Sequence, residues 1–408
     1  MSLDPAALRR ARRALTVSFA GNGFMSGALV ARLADVKSTL HLTNAGLGTA
    51  LVLCSIASFL SMAPVSRLVS RVGSGPATMI GVTAYALTFP LLGVLTSVHF
   101  LWFALVIYGV ALTIHEVAMN SHAVALEHVY RRRIMTVQHA TWSAGQLVGV
   151  AIGGVLSQYK VPIFWHLAVA ALLVLGVAWS VSSWLLPASI DRHDPLATIE
   201  APRSRFSLRH LPFFFVALGL LGFFETIGEG AAGNWGVVLA RDSFHAAPLL
   251  STMPYVVYAI VMVLGRLSGD RLATRFSTRN ILAASGGFIA VGLGVGMAMD
   301  SLAGEFLAWV FLAAGCSNVV PLLFSAAGRA ARTRPSSRVR PAGALALVTA
   351  IAYSGSLVGP PVIGYLADVV TLRAALLLPA ALGVLLVVGV FVVLRHDDDV
   401  ADLSAAPR

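Results

Sequence analysis

The strongest constraint in this sequence is a rhythm. About twenty mostly apolar residues are followed by a short polar connection, and the pattern repeats twelve times. A helix crossing about 30 Å of hydrocarbon needs roughly 20 such residues. In lipid a helix satisfies its own backbone polar groups, which an isolated strand cannot do. The runs fall near 14–33, 45–65, 77–97, 100–124, 136–157, 164–186, 211–234, 248–268, 280–299, 304–326, 342–366 and 372–394. They predict an all-α membrane protein with twelve transmembrane helices. Composition agrees: of 408 residues, 57% are hydrophobic and 12% charged, about half the charged share of a soluble domain. The deficit runs the whole length, so lipid is the solvent for most of the chain.

Arginine placement tests that count. Twelve crossings put both termini on one side. The termini and the connections on their side hold 24 of the 29 Lys and Arg residues; the other side holds only Arg32, Lys37, Lys160, Arg241 and Arg373. By the positive-inside rule, the termini and the arginine-rich connections are expected to be cytoplasmic, in a multi-pass protein of the cell membrane. A miscounted span would scramble this alternation. Arg131 to Arg133 are most simply topology determinants, and Arg266 and Arg271 are counted with the arginines of the cytoplasmic side.

The net charge of +11 would suggest nucleic acid in a soluble chain. Here the arginines lie between apolar runs and not beside aromatic platforms, so no nucleic-acid partner is expected. Cys54 and Cys316 sit inside apolar runs, which argues against a disulfide framework. "LRRARR" before the first run resembles the start of a signal peptide. The run is long, broken by glycine and lacks a small-residue cleavage site, so it is expected to stay as the first span.

The least hydrophobic connection, residues 187–210, reads as a linker between a bundle of six helices over 1–186 and a second over 211–395, with a tail at 396–408. The two halves echo one another. "GALVAR" (Gly27 to Arg32) returns as "GVVLAR" (Gly236 to Arg241). "FLWFALVIYG" (Phe100 to Gly109) returns as "FLAWVFLAAG" (Phe306 to Gly315), and "GQLVGVAIGG" (Gly145 to Gly154) as "GSLVGPPVIG" (Gly355 to Gly364). Three echoes in order, at nearly constant offset, argue for two pseudo-symmetric six-helix bundles from a duplicated unit. Parallel repeats with a site near the membrane midplane are a recurring transporter plan. Gly145, Gly149 and Gly153, like Gly355 and Gly359, are spaced to line one helix face, and close helix packing is the preferred reading of them. Pro360 and Pro361 are expected to kink span eleven.

Polar residues inside the spans point to function. "HEVAM", His115 to Met119, nearly spells H-E-x-x-H, but the second histidine is Met119 and a thioether is a poor zinc ligand. No metal, no cofactor and no enzyme activity are expected. No G-x-x-x-x-G-K-[ST] loop is present to bind ATP. Glu116 lies within the hydrocarbon depth, where a charged acid costs a few kcal/mol unless it faces a cavity, finds a partner or stays neutral. It is either a proton or solute group, or a structural acid paired with His115, His122 or a neighbouring helix. Asn120 shares its face, one turn on. In span seven Glu225 and Glu229 are four apart; two acids close together in low dielectric do not both ionise cheaply. Such a pair suits a proton-coupled carrier or a carrier of cationic solutes; alternatively, one Glu sits in a salt bridge that stabilises a closed state. His139 and Gln146 share a face of span five, though His139 reads equally as an interfacial residue. Trp142, Trp235 and Tyr353 suit stacking on a sugar ring or a membrane-interface belt. Asn22, Ser26, Asn234 and Asn318 complete the candidate cavity lining.

At this point the chain resembles the major facilitator superfamily over nearly its whole length. "SRLVSRVGSG" (Ser66 to Gly75) resembles its cytoplasmic loop signature G-x-L-A-D-R-x-G-R-R, matching at Leu68, Arg71 and Gly73, with Ser70 in place of the aspartate. The second copy, "GDRLATRFSTR" (Gly269 to Arg279), keeps Leu272, Arg275 and Arg279, and Asp270 is its substitute acid. The resemblance implies gate loops at Arg71, Gly73, Asp270 and Arg275. "EVAMN" (Glu116 to Asn120) is similar to the E-T-A-A-N-P segment of the fucose and glucose permeases, matching at Glu116, Ala118 and Asn120. "EGAAGNW" (Glu229 to Trp235) with "VYRRRIMTVQHATWSAG" (Val129 to Gly145) resembles a bacterial branch near those permeases, which places Glu229 ahead of Glu225. The first span carries no central acid, so the permeases' coupling scheme does not transfer directly. These resemblances imply a monomeric carrier that moves a small polar, sugar-like solute with protons by alternating access. The alternative is a proton-driven efflux carrier for a small metabolite or drug.

Overall fold

The computed structural model describes residues 4–130, 134–190, 213–333 and 341–394, and these form helices joined by short turns. In chain order the helices are α1 (Pro5–Thr39), α2 (Asn44–Val72), α3 (Ser74–Thr88), α4 (Val98–Tyr130), α5 (Met135–Gln158), α6 (Ile163–Ser180), α7 (Phe213–Asp242), α8 (Pro248–Arg275), α9 (Thr278–Ala298), α10 (Leu302–Cys316), α11 (Val319–Thr333), α12 (Pro341–Val369), α13 (Leu372–Ala375) and α14 (Leu377–Val393). Among the described residues, twelve stretches are long and apolar enough to cross a membrane. Each falls on one of the twelve expected runs. Two of them are built from two helices: α10 and α11 break at Ser317–Asn318, and α13 is a short prelude to α14.

Side-chain caps set several starts. Thr43 Oγ1 accepts from the Gly46 amide at 3.0 Å, and Ser301 Oγ from Gly304 at 3.1 Å. Each satisfies an amide that has no partner within the helix. Boundaries differ from expectation where the chain tightens. Span three leaves α-geometry at Thr88 and ends in a 3-10 turn, Phe89–Gly93, which contains Pro90. Span six, expected to reach 186, ends as a helix at Ser180 and continues through a 3-10 turn, Ser182–Trp184. Helix α12 continues through Pro360 and Pro361. Residues 191–210 of the expected linker, Arg131 to Arg133 and the 396–408 tail lie outside the described residues.

Many large apolar side chains are exposed, among them Phe59, Leu60, Leu172, Val291 and Val392. Long helices with such apolar outer faces suit lipid, whereas soluble proteins rarely expose contiguous apolar patches of this extent.

Backbone contacts divide the chain into two units, residues 1–201 with 247–252 and residues 202–246 with 253–408. In the first, α1 packs most extensively on α5, α3 on α4, and α2 on α4. In the second, α7 packs on α12, α9 on α10, and α9 on α14. The α1–α5 seam shows why the glycines sit where they do. A Cβ on Gly23 or Gly27 would overlap the carbonyl oxygens of Trp142 and Gln146; one on Gly145 or Gly149 would overlap those of Ala20 and Phe24. Two backbones meet there with nothing between them. Gly355 plays the same part in the second unit, against Phe223 and Thr226.

Gly73 alone joins α2 to α3. It has φ 88° and ψ 151°, a region essentially restricted to glycine, and an added Cβ would meet the Ala188 Cα at 2.8 Å. Gly73→Ala is therefore expected to cost about 1–3 kcal/mol, read as a lower midpoint in thermal unfolding; an unchanged midpoint would show that the joint relaxes freely.

Candidate functional site

Polar side chains gather at one place within each unit. In the first unit, α4 carries His115, Glu116, Asn120 and His122. Adjacent helical residues point about 100° apart, so His115 and Glu116 meet different neighbours. The indole of Trp142 only donates, and its Nε1 gives a 2.7 Å hydrogen bond to Asn22 Oδ1. That fixes the amide of Asn22, whose Nδ2 donates to His115 Nδ1 at 3.1 Å. His115 Nε2 is then the protonated ring nitrogen, donating to Ser18 Oγ at 2.8 Å. His122 is committed in the same way: Nε2 accepts from the Leu186 amide at 3.4 Å, leaving Nδ1 to donate to Ser74 Oγ at 2.8 Å.

These bonds overturn one reading of Glu116. Neither histidine is its partner, because both rings are fully engaged elsewhere. Among the described residues its carboxyl has no hydrogen bond and no ion pair, and it is half-buried. It follows Gly109 and Thr113 on the face of α4 that meets α2, where Thr113 Oγ1 donates to the Ser58 carbonyl at 3.3 Å. Cys54, Tyr85 and Tyr108 lie within its electrostatic reach. Asn120 does not turn to that carboxyl: its amide donates to the Glu116 carbonyl oxygen at 2.8 Å.

The second unit holds the fuller constellation. On α7, Glu225 is 2% exposed and its Oε2 has no partner among the described residues. The Cys316 thiol at the end of α10 lies close to the same carboxyl. One turn on, Glu229 Oε1 accepts from Arg266 Nη2 on α8 at 3.3 Å, with both side chains roughly half-exposed. Tyr258 on α8 is buried with an unpaired hydroxyl, its ring 5.5 Å from that of Tyr255. Tyr353 on α12 is 54% exposed and feels both acids and the arginine. Asn234 donates back to the Gly230 carbonyl at 2.9 Å. The two glutamates thus differ: Glu229 meets a cation, and Glu225 is buried.

Duplication sharpens the point. At the 209-residue offset that pairs Gly27 with Gly236, Glu225 corresponds to Thr16 and Glu229 to Ala20. The repeat reproduces helices and glycine seams but not these acids, so they are additions to a scaffold that packs without them.

Several expected cavity residues are corrected by packing. Asn22 is fully buried and spends its amide on His115 and Trp142, which makes it a tie between helices. Trp142 contributes its indole N–H to that tie. Trp235 is fully buried and offers no face for stacking. Asn318 donates to the Gly265 carbonyl at 3.1 Å and to Ser317 Oγ at 3.0 Å, closing the α10–α11 break onto α8. Ser26 is half-buried and Gln146 is 9% exposed. His139 is exposed and stands edge-on to Phe19 at 5.4 Å. Arg71 and Arg275 are exposed, and the Asp270 side chain lies outside the described set. Among the described residues, no three His, Cys, Asp or Glu side chains converge as metal ligands.

Arg266 is the residue whose part at this site the sequence reading missed. Counted with the cytoplasmic arginines, it lies within α8 and meets Glu229. Its position inside the span 248–268 was the available signal. Gln138 was passed over altogether; it is fully buried and neither amide atom has a partner. A half-exposed ion pair contributes little to stability, so Arg266→Gln is expected to cost under about 1 kcal/mol in unfolding. A loss of several kcal/mol would mark the pair as structural.

The sequence matches the family model described as Major Facilitator Superfamily over residues 15–339 and 218–407. It is 29% identical over 378 residues to an uncharacterized MFS-type transporter of Yersinia pestis, covering 92% of this chain and 93% of that one. It is 27% identical over 373 residues to the membrane protein MosC of Rhizobium meliloti, covering 91% and 87%. Among solved structures, the nucleoside transporter NupG superposes with a TM-score of 0.74 at 14% identity, over 95% of this chain and 99% of that one. A bacterial homologue of the human lysosomal transporter Spinster gives 0.69 at 14% identity, over 96% and 97%. At such identities the structural likenesses speak for the fold alone.

Proposed function

Because the chain belongs to the Major Facilitator Superfamily, and is thus a multi-pass membrane transporter and not an enzyme, we propose that it couples the movement of a small polar solute to protons by alternating access. The carrying observation is the contrast within one helical turn of α7. Glu229 has a cation beside it, whereas Glu225 is 2% exposed with an oxygen that no described residue satisfies. An ionised carboxylate left unpaired in such a place costs several kcal/mol. In this conformation Glu225 is neutral and holds the transported proton. Glu229 and Arg266, half-exposed, meet the solute, and Tyr353 supplies an aromatic surface beside them. Glu116 acts as the acid of the first unit.

A hydroxylated, sugar-like solute is favoured by the resemblance of Glu116, Ala118 and Asn120 to the permease segment. The arginine distribution supports cytoplasmic termini, and the protein works as a monomer. The first test is a thermal-stability screen of purified protein against sugars, amino acids, organic cations and drugs. Radiolabelled uptake of the hit into proteoliposomes then follows, with and without a pH gradient. Accumulation that follows an inward proton gradient supports the proposal. Extrusion under the same gradient would favour the efflux alternative, and indifference to the gradient would remove the coupling.

A further inference from the structure

Two cavities in the first unit lie along one stripe of α1. The upper one, about 380 Å³, is lined by Arg10 together with Ser183 and Trp184, which follow α6. The other, about 490 Å³, is a groove of almost wholly apolar lining, bounded by Val17, Gly21 and Phe24 of α1, Ala144 of α5, and Leu173 and Val177 of α6. Residues 10, 17, 21 and 24 are spaced seven, four and three apart, which puts them on a single helix face. Arg10 stands about 10 Å along the axis from Val17. A cationic cavity and an apolar trough therefore lie in line along α1, the first against the turn that follows α6 and the second against α5 and α6.

We propose that this seam binds an acidic diacyl phospholipid, independently of the transported solute. Its phosphate meets the Arg10 guanidinium and the Ser183 hydroxyl, and one acyl chain lies in the groove. Three observations select that occupant. The groove is open and its walls are exposed, Leu173 to 60% and Val177 to 50%, within spans whose exposed apolar side chains suit lipid tails. Charge appears only at one end, as in a phospholipid. Trp184 is 38% exposed beside the cationic end, and Trp179, 55% exposed, is nearby in sequence; exposed tryptophans gather at headgroup level. Gly21 lets α6 close up on α1 at the base of the trough, since a Cβ there would meet Val174 Cγ1 at 2.7 Å.

Native mass spectrometry of the full chain in detergent tests this with phosphatidylglycerol, phosphatidylethanolamine and inorganic phosphate as separate probes. One phosphatidylglycerol per chain is expected to be retained preferentially. Arg10→Gln should lower that retention about fivefold, the effect of one basic residue near an anionic surface. Ala144→Phe, at an exposed position in the groove, should lower it as well by filling the trough. Arg13→Gln, exposed but outside the cavity, should change it less than twofold. Equal losses from the Arg10 and Arg13 variants would reduce the effect to a general surface charge and overturn the site. Equal retention of phosphatidylethanolamine, or displacement of phosphatidylglycerol by inorganic phosphate, would overturn it too.

Discussion

Glu225→Gln is expected to abolish gradient-driven accumulation while leaving the carrier folded and able to exchange solute. The amide keeps the volume of the carboxyl, and it places a neutral group where the burial already demands one. What it removes is the ability to release a proton when the site is rehydrated. One proton moving through 100 mV supplies about 2.3 kcal/mol, enough for roughly 50-fold accumulation. In proteoliposomes the variant should therefore fall from such a ratio to about one, with equilibrium exchange of labelled for unlabelled solute retained. Loss of both activities would assign Glu225 to solute binding or to folding. Glu229→Gln is a different case, because its carboxyl is held by Arg266; solute affinity, more than coupling, should suffer.

The second large effect is structural. Gly149→Ala would push a methyl group into the Phe24 carbonyl across the α1–α5 seam, where backbone cannot move aside as a flexible side chain can. Overpacking of this kind costs about 1–3 kcal/mol, and the upper end is expected here. Gly176 on α6 provides the control, since a Cβ there meets nothing within 4 Å. Gly176→Ala should be neutral or stabilising by up to about 1 kcal/mol, through the smaller conformational freedom of the unfolded chain. Equal melting behaviour of the two variants would show that the helices separate easily.

The fold was largely legible in the sequence because its causes are local. Twenty apolar residues make a span whatever surrounds them, and the alternation of arginines reports the count directly. The glycine seams were legible too, since a four-residue spacing places small residues on one face before any partner is known. The site was less so. Asn22 and Trp142 are 120 positions apart, and nothing in either neighbourhood announces that they meet. Asn22 looked like a cavity residue because a polar side chain in a span must find some partner, and sequence does not say whether that partner is solute or indole. The part of Arg266 at the site was missed for the opposite reason: arginines near span ends usually mark the interface, and nothing around residue 266 announces that Glu229 lies across from it. Glu225 and Glu229 were identified together, yet their different fates depend on α8 and α10, which no four-residue spacing reveals.

The central claim is that solute and proton cross together. Its most direct measurement is lumenal pH, followed with a trapped dye in proteoliposomes that hold no imposed gradient, after external addition of the solute selected by the stability screen. The account predicts acidification that accompanies solute entry in the native protein and is absent in Glu225→Gln. Solute entry with no change in lumenal pH, or equal acidification by the variant, would contradict it.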